Sequence, residues 1–489
     1  MQNALALGIS MAYILAVIFV SGIIAKLKKG STEFTRKFVH ILVGNWVFIV
    51  PFFTDLWAVV LIPFIFIIVN SLSLKYKLIS SMERNDDSLG TVYYAVAMFF
   101  LSGTGFLLNW MMLPFIGLLT MTYGDGLAAI IGKRWGKKRP FSFAPEKSLL
   151  GFFTVALSCL IVSFAVMMYF NTHLNADAAF SRSVLSLIAI SAVNGVFAGF
   201  TELTGKRGCD NLSLPIGSGL LASFLYYHGS IEFALYLLAA VLLLYIAYRK
   251  KSLTEDGIVA AVLTAATLYT FGGIWVGISL LVFFVFGSIS SKLKNERKQQ
   301  GELIQEAGGK RNWKQVLCNS LPATVLVWLS VFIKSQSDMF TLLAFAVFAA
   351  ACADTFSSEL GMLCRGRVFN IINGKSLPRG LSGGVSLCGF FAGITGSALI
   401  ALCALPGFGI RGFAVTLILG FFGSLIDSVL GSTIQRKYKG INGSLQDKAS
   451  YKGEIPAAGL QFVTNNTVNL LSLFIVALTG TLIFIGTPL

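Results

Sequence analysis

The sequence has little charge. Only 12% of its 489 residues are Asp, Glu, Lys or Arg, against 55% hydrophobic, whereas soluble domains are roughly one quarter charged. Mean hydropathy is +0.77. These values exclude a soluble globule, a disordered chain and a nucleic-acid-binding module, and they indicate a membrane protein. Acids are scarcer than bases: 22 Asp and Glu stand against 38 Lys and Arg, a net charge of +16. In a membrane chain that excess marks loops facing the cytoplasm. The seven cysteines (Cys159, Cys209, Cys318, Cys352, Cys364, Cys388, Cys403) lie mostly in apolar runs. None has a neighbour at zinc or iron–sulfur spacing, so neither a metal cluster nor a disulfide framework is expected. Of three histidines, His173 and His228 fall in outer loops. His40 alone opens a helix at the basic side, sharing one face with Arg36 and Lys37.

What is abundant is apolar sequence in runs. A crossing helix needs about 20 apolar residues, and sixteen segments qualify: 4–25, 38–53, 57–74, 90–107, 111–132, 148–170, 183–201, 212–228, 231–248, 257–271, 273–290, 316–333, 340–362, 383–404, 410–434 and 468–487. The first is read as a span rather than a signal peptide, because no small-residue cleavage site follows it. Every odd-numbered loop is basic: 26–37, 75–89, 133–147, 202–211, 249–256, 291–315, 363–382 and 435–467 hold 35 of the 38 Lys and Arg. The even loops hold only Arg182, Lys334 and Arg411. This alternation predicts an all-α polytopic membrane protein of about sixteen transmembrane helices in two possibly related halves, both termini on the non-cytoplasmic side. The expected divisions are residues 1–230, a connecting span and linker at 231–256, and residues 257–489.

An ionised side chain within a span costs about 2.5–3.5 kcal/mol on insertion scales and by default marks function. Asp125, Asp354, Glu359 and Asp427 lie within spans, and Glu202 and Asp210 lie just past the end of one. All six fall at the expected cytoplasmic side among Gly, Ser and Ala. One pattern occurs twice. Asp125 is followed by Ala128-Ala129, Gly132, Lys133-Arg134, Lys147-Ser148 and Gly151; Asp354 is followed by Ser357-Ser358, Gly361, Arg365 with Arg367, Lys375-Ser376 and Gly380. Such groups suit phosphoryl transfer. A carboxylate holds Mg²⁺, which bridges to substrate phosphates, while Lys, Arg and glycine-exposed N–H groups neutralise the phosphate oxygens. Asn373-Gly374-Lys375-Ser376 is not a P-loop, because Phe369 stands where its first glycine belongs.

Residues 30–230 resemble the phytol kinase and dolichol kinase family of CTP-dependent polyprenol kinases. The resemblance lies in Arg36-Lys37-Phe38-Val39-His40, in Gly124-Asp125-Gly126-Leu127-Ala128 through Gly132 and Gly136, in Lys147-Ser148 with Gly151, and in Glu202 followed by Asp210-Asn211-Leu212-Ser213-Leu214-Pro215. Residues 250–487 resemble the membrane family that includes plant phytyl-phosphate kinase. The matching pieces are Lys251-Ser252-Leu253-Thr254, Arg311-Asn312-Trp313-Lys314-Gln315-Val316, Asp354 through Gly361, Gly380 through Ser386, Asp427 through Gly431, and Asn465-Asn466 with Val468-Asn469. Asn466 stands where that family often has Asp.

The resemblance implies a bifunctional kinase that phosphorylates a prenyl alcohol with CTP and then its monophosphate with a nucleoside triphosphate. In the first half it implies Asp125 as Mg²⁺ ligand or base, assisted by Glu202 and Asp210, with Asp210 a second metal ligand. Gly132, Lys133, Arg134, Gly136, Lys147 and Ser148 would bind the nucleotide, and Arg36, Lys37, His40 and Asn211 the substrate head. In the second half Asp354, Glu359 and Asp427 take the acidic roles, Asp354 and Asp427 as metal ligands. Arg365, Lys375 and Ser376 would bind phosphate, with Asn465 and Asn469 as polar partners of the substrate. The expected partners are prenyl alcohols, prenyl phosphates, nucleotide and the bilayer, with sites facing the cytoplasm or stroma. The same groups would also serve a cytidylyltransferase making a CDP-lipid. A prenyl-phosphate transporter is the alternative of another class, although its charges belong at the midplane.

Overall fold

The computed structural model describes residues 1–27, 33–76, 89–173, 181–206, 208–306, 310–440, 443–451 and 453–485, with backbone only for 25–27 and 33–36. About 78% of the chain is helical. The only strands among the described residues are two-residue pairs in loops of the second half, Phe369–Asn370 with Gly384–Val385 and Tyr438–Lys439 with Leu445–Gln446. The chain is an all-α polytopic membrane protein. It divides into two compact units, Met1–Ser230 and Ile231–Leu489.

In the first unit the helices are Gln2–Leu27, Glu33–Gly44 running into a 3₁₀ stretch at Asn45–Phe52, Leu56–Tyr76, Gly90–Leu108, Met112–Leu119 continuing to Trp135, Leu149–His173, Val184–Thr204 and Asp210–His228. In the second they are Ile231–Arg249, Glu255–Lys292, the short Glu296–Glu302, Trp313–Phe332, Ser337–Gly361, Leu387–Thr433 and Asn465–Phe484. Polar caps start several of them. Thr254, Ser386 and Thr464 each accept from a backbone N–H in the first turn, and Asn312 forms a capping box with Gln315. Residues 231–256, expected as a connector, belong to the second unit: Leu244, Ala247 and Leu253 bury against Ile258, Ala261 and Phe284.

Among the described residues, twelve helices are long and apolar enough to cross a membrane. Each of the sixteen expected segments nevertheless overlaps a helical stretch, and the difference in number has two sources. Lys37–Phe52 is shorter than such a span, and Asp210–His228 is less apolar, with Gly, Ser and Pro in its course. The other two missing helices are hidden in hairpins. Helix Leu387–Thr433 breaks at Gly409, with φ +60°, and Ser397 Oγ donates to the Leu417 carbonyl at 2.8 Å across 20 residues. A straight helix would hold those residues about 30 Å apart, so the chain folds back at one glycine. Helix Glu255–Lys292 does the same at Gly273, with φ +80°. The Tyr236 hydroxyl lies 3.4 Å from the Ala265 carbonyl and 3.2 Å from that of Gly277, groups about 18 Å apart in an unbroken helix. Both reversals require the positive φ that glycine adopts without strain.

Helix Ser337–Gly361 is the centre of the second unit. Leu342 through Ala353 are all buried, as in a helix that is apolar on every side. Its alanines admit the Gly409 hairpin at backbone distance, the small-residue packing of membrane helices. A Cβ added at Gly420 would fall inside contact distance of Ala349 Cβ and Ser397 Oγ. Gly420→Ala is therefore expected to destabilise the protein by about 1–3 kcal/mol through overpacking, read as a lower melting temperature in detergent. One expectation about cysteine is corrected: Cys364 and Cys388 are joined in a disulfide, Cα atoms 6.4 Å apart. The loop between them brings together residues whose spacing in sequence carries no such signal.

Candidate functional sites

In the first unit, Asp125 ends a π-helical stretch, Thr120–Asp125, inside an otherwise α-helical span. Such wider turns recur at functional sites, because the extra residue re-aims a side chain. Asp125 is 8% exposed. Lys37 Nζ lies 2.5 Å from its Oδ2 and His40 Nε2 lies 3.6 Å away. The His40 ring packs on Tyr94, centroids 4.4 Å apart, and Tyr94 meets Thr122 at 3.2 Å. Two further acids converge from other helices. Glu202, in the last turn of Val184–Thr204, is buried; Asp210 opens Asp210–His228. One oxygen from each of Asp125, Glu202 and Asp210 lies within 4.8 Å of the others.

Lys147 binds this cluster, ion-paired to Glu202 and 3.5 Å from Asp210. Burial disfavours its ammonium, but Glu202 and Asp210 outweigh that and hold its pKa well above the usual lysine value. The second Glu202 oxygen, Oε2, is buried with no partner among the described residues. An orphaned carboxylate oxygen among three convergent acids fits a hard divalent cation, whose preferred ligands are oxygens. Beside the cluster lies a cavity of about 120 Å³, lined by Lys37, His40, Asp125, Asp210 and Asn211 together with Phe66, Leu74 and Met98.

The other expected residues of this half are placed differently. Lys37 is committed to Asp125. The Asn211 amide donates to the Gly90 carbonyl at 2.8 Å while lining the cavity. Lys133 and Arg134 are exposed, and Arg134 lies over the Trp135 ring at 5.0 Å. Gly132, Gly136 and Ser148 pack a helix crossing. Ser148 Oγ donates to the Gly132 carbonyl at 3.3 Å and accepts from Gly151 N–H at 3.1 Å, and a Cβ on Gly136 would overlap Ser148. The Arg36 side chain lies outside the described residues.

The second unit holds a larger polar cavity of about 670 Å³, and Asp354, Glu359, Asp427, Asn465 and Asn469 all line it. Asp427 accepts from Ser472 Oγ at 3.0 Å. Glu359 is held on both oxygens, by the fully buried Lys298 at 2.6 Å and by Ser291 at 3.0 Å. Asn465 N–H donates to Glu306 Oε2 at 3.1 Å, and Glu306 is ion-paired to Arg436. Arg365, Lys375 and Ser376 are exposed and do not line this cavity.

The bases that do line it include Lys294, Arg311 and Arg379, which sequence reasoning did not single out as site residues. Arg379 is spent on the carbonyls of Gly361, Met362, Cys364 and Gly366. Arg311 is different: among the described residues no hydrogen bond or ion pair engages its guanidinium. Burial pulls its pKa below the usual arginine value, against the opposing effect of Glu359.

The repeated pattern has a structural counterpart, but not at the serine expected. In the first unit the glycine seven residues after Asp125, Gly132, packs on Gly151, whose N–H is capped by Ser148; a Cβ on Gly132 would stand 3.2 Å from Gly151 Cα. In the second, the glycine seven residues after Asp354, Gly361, packs on Gly389, whose N–H donates to Ser386 Oγ at 3.1 Å; a Cβ on Gly361 would stand 3.1 Å from Gly389 Cα. The equivalent of Ser148 is thus Ser386, not Ser376. In each unit the helix that follows this cap is succeeded by one carrying a further acid near its end, Glu202 or Asp427.

Residues 238–477 match the family described as Integral membrane protein DUF92. The chain is 32% identical to a protein named Phytol kinase from Synechocystis sp. over 45% of this chain and 90% of that one. It is 32% identical to Protein PGR of Arabidopsis thaliana over 47% of this chain and 88% of that one. To Probable phytol kinase 1, chloroplastic, of Glycine max it is 30% identical over 40% of this chain and 67% of that one. No solved structure matches.

Proposed function

Because the chain belongs to the phytol kinase family and contains a DUF92 membrane segment, we propose that it is a bifunctional lipid kinase, with a prenyl-alcohol kinase in its first unit and a prenyl-phosphate kinase in its second. The observation that carries the first assignment is the cluster of Asp125, Glu202 and Asp210 with Lys147, set beside a cavity lined by Phe66, Leu74 and Met98. An apolar alcohol brings its hydroxyl to such a boundary, and the nucleotide arrives from water.

In the first transfer the alcohol oxygen forms a bond to the terminal phosphorus of CTP. The bond to the bridging oxygen breaks, CDP leaves, and the hydroxyl proton passes to a carboxylate of the cluster. Mg²⁺ held by Asp125 and Asp210 would neutralise charge on the phosphate oxygens. Lys147, paired with Glu202 and 3.5 Å from Asp210, would turn toward the nucleotide phosphates, compensating charge that spreads over them in the transition state. Lys37 holds Asp125 in place through their ion pair, and His40 and Asn211 meet the hydroxyl side of the substrate.

In the second unit Asp354 and Asp427 take the place of the acids, around a cavity large enough for nucleotide and lipid head together. A cytoplasmic or stromal orientation follows from the basic loops under the positive-inside rule. The test is a purified, folded preparation given geranylgeraniol or phytol, Mg²⁺ and γ-labelled CTP. The expected result is label first in a lipid monophosphate and then in a diphosphate. Release of pyrophosphate with a CDP-lipid would replace the kinase by a cytidylyltransferase, and no labelled lipid at all would favour a transporter.

A further inference from the structure

In the second unit a small apolar cleft and the large polar cavity share part of their walls. The cleft holds about 50 Å³ and is lined by Leu244, Ala261, Leu280 and Phe284, from helix Ile231–Arg249 and both limbs of the Gly273 hairpin. Phe283, Arg311, Gln315 and Asn319 line the cleft and also the 670 Å³ cavity that contains Asp354 and Asp427. A hydrocarbon-lined slot therefore meets a polar chamber at a guanidinium.

That guanidinium is held ready rather than used. The Arg311 backbone is clamped on both sides: its N–H donates to the Ser252 carbonyl at 2.9 Å, and its carbonyl accepts from Thr254 N–H at 3.0 Å and Thr254 Oγ1 at 3.1 Å. The capping box of Asn312 and Gln315 follows at once. The side chain carries five donors in a rigid fork matched to carboxylate or phosphate. Yet it has no hydrogen bond or ion pair among the described residues. Glu359, the carboxylate that influences it, already has its oxygens occupied by Lys298 and Ser291. A partly buried cation without a partner is costly, and an anion arriving at the junction relieves that cost.

We propose that this junction is the seat of an amphiphile, a phosphate monoester whose head is anchored by Arg311 and whose first carbons fill the cleft at Ala261 and Leu280. The head then faces Asp354 and Asp427 across the cavity. The binding stands on this geometry alone, while the identification of the amphiphile as a substrate rests on the prenyl-phosphate kinase reading above. A free phosphate or nucleotide shares the head chemistry but has nothing to put in the cleft, and this separates the two.

The experiment uses the full-length protein in nanodiscs, with direct binding of labelled geranylgeranyl monophosphate and, separately, turnover. Arg311→Gln is expected to weaken lipid binding tenfold or more with nucleotide KM changed less than twofold, and Arg311→Lys to recover part of the loss. Ala261→Phe is expected to weaken geranylgeranyl monophosphate at least fivefold and to leave binding of inorganic phosphate, which puts nothing in the cleft, unchanged. Unaltered lipid binding in Arg311→Gln and Arg311→Lys would overturn the proposal, as would a rise in nucleotide KM in its place. Equal losses for the lipid and for inorganic phosphate in a folded Ala261→Phe, or no loss for the lipid, would overturn the cleft assignment. Wild-type binding without turnover would support the seat and refute the kinase reading of this unit.

Discussion

Asp125→Asn is expected to lower alcohol phosphorylation by more than about 10²-fold, the scale on which charge stabilisation in a preorganised site operates, and to leave phosphorylation of added prenyl monophosphate intact. Asp354→Asn is expected to do the reverse. The reasoning is geometric. Asp125 gathers Lys37, His40, Glu202 and Asp210 within one unit, while Asp354 lines a separate cavity with Asp427. Asn keeps shape and a hydrogen-bond acceptor for Lys37 but removes the charge. The measurement is two assays on each variant, one starting from alcohol and one from monophosphate, with a melting curve to show that the protein is folded. Loss of both activities in either folded variant would sink the two-site reading.

Lys298→Met is expected to cost roughly 3 kcal/mol, the lower end for breaking a buried ion pair, because Glu359 faces a polar cavity and keeps Ser291. Lys298 does more than neutralise that acid. Its ammonium is fully buried and donates to the Ser290 and Ser291 carbonyls at 2.9 and 3.1 Å, capping the end of helix Glu255–Lys292. The expected fall in melting temperature is about 6–12 °C for a unit of this size. Adding Glu359→Gln to Lys298→Met should cost less than the two single changes together, since the second no longer breaks a pair. Strict additivity would mean that the pair contributes nothing to the fold.

The acids of both candidate sites stand out in the sequence because a charge inside an apolar run is conspicuous and expensive. Asp125, Asp354 and Asp427 stood out for that reason, and the structure puts each against a cavity. The bases were not legible in the same way. Lys298 and Arg311 sit in the long basic loop 291–315, where the membrane's charge asymmetry alone accounts for Lys and Arg. Only folding sorts them: Lys298 to a buried pair, Arg311 to an open guanidinium. Ser386 was missed for another reason. The sequence pattern followed Lys-Ser at Lys375-Ser376, whereas the physical requirement is a serine capping a helix three residues before a glycine at a close crossing. A longer loop bearing the Phe369–Asn370 and Gly384–Val385 pair moves that serine downstream. Each of the sixteen apolar segments overlaps a helical stretch. What the runs did not show is that four of them join at single glycines.

Those single-residue reversals bear on how the chain is made. Between the limbs at Gly409 the sequence is Pro406-Gly407-Phe408-Gly409-Ile410-Arg411, and at Gly273 it is Phe271-Gly272-Gly273-Ile274-Trp275. Neither turn offers a polar stretch that could wait in water while the next limb is synthesised. Each pair is therefore expected to enter the lipid together during translation; stable insertion of a chain truncated just after Gly409, read by protease protection, would overturn this.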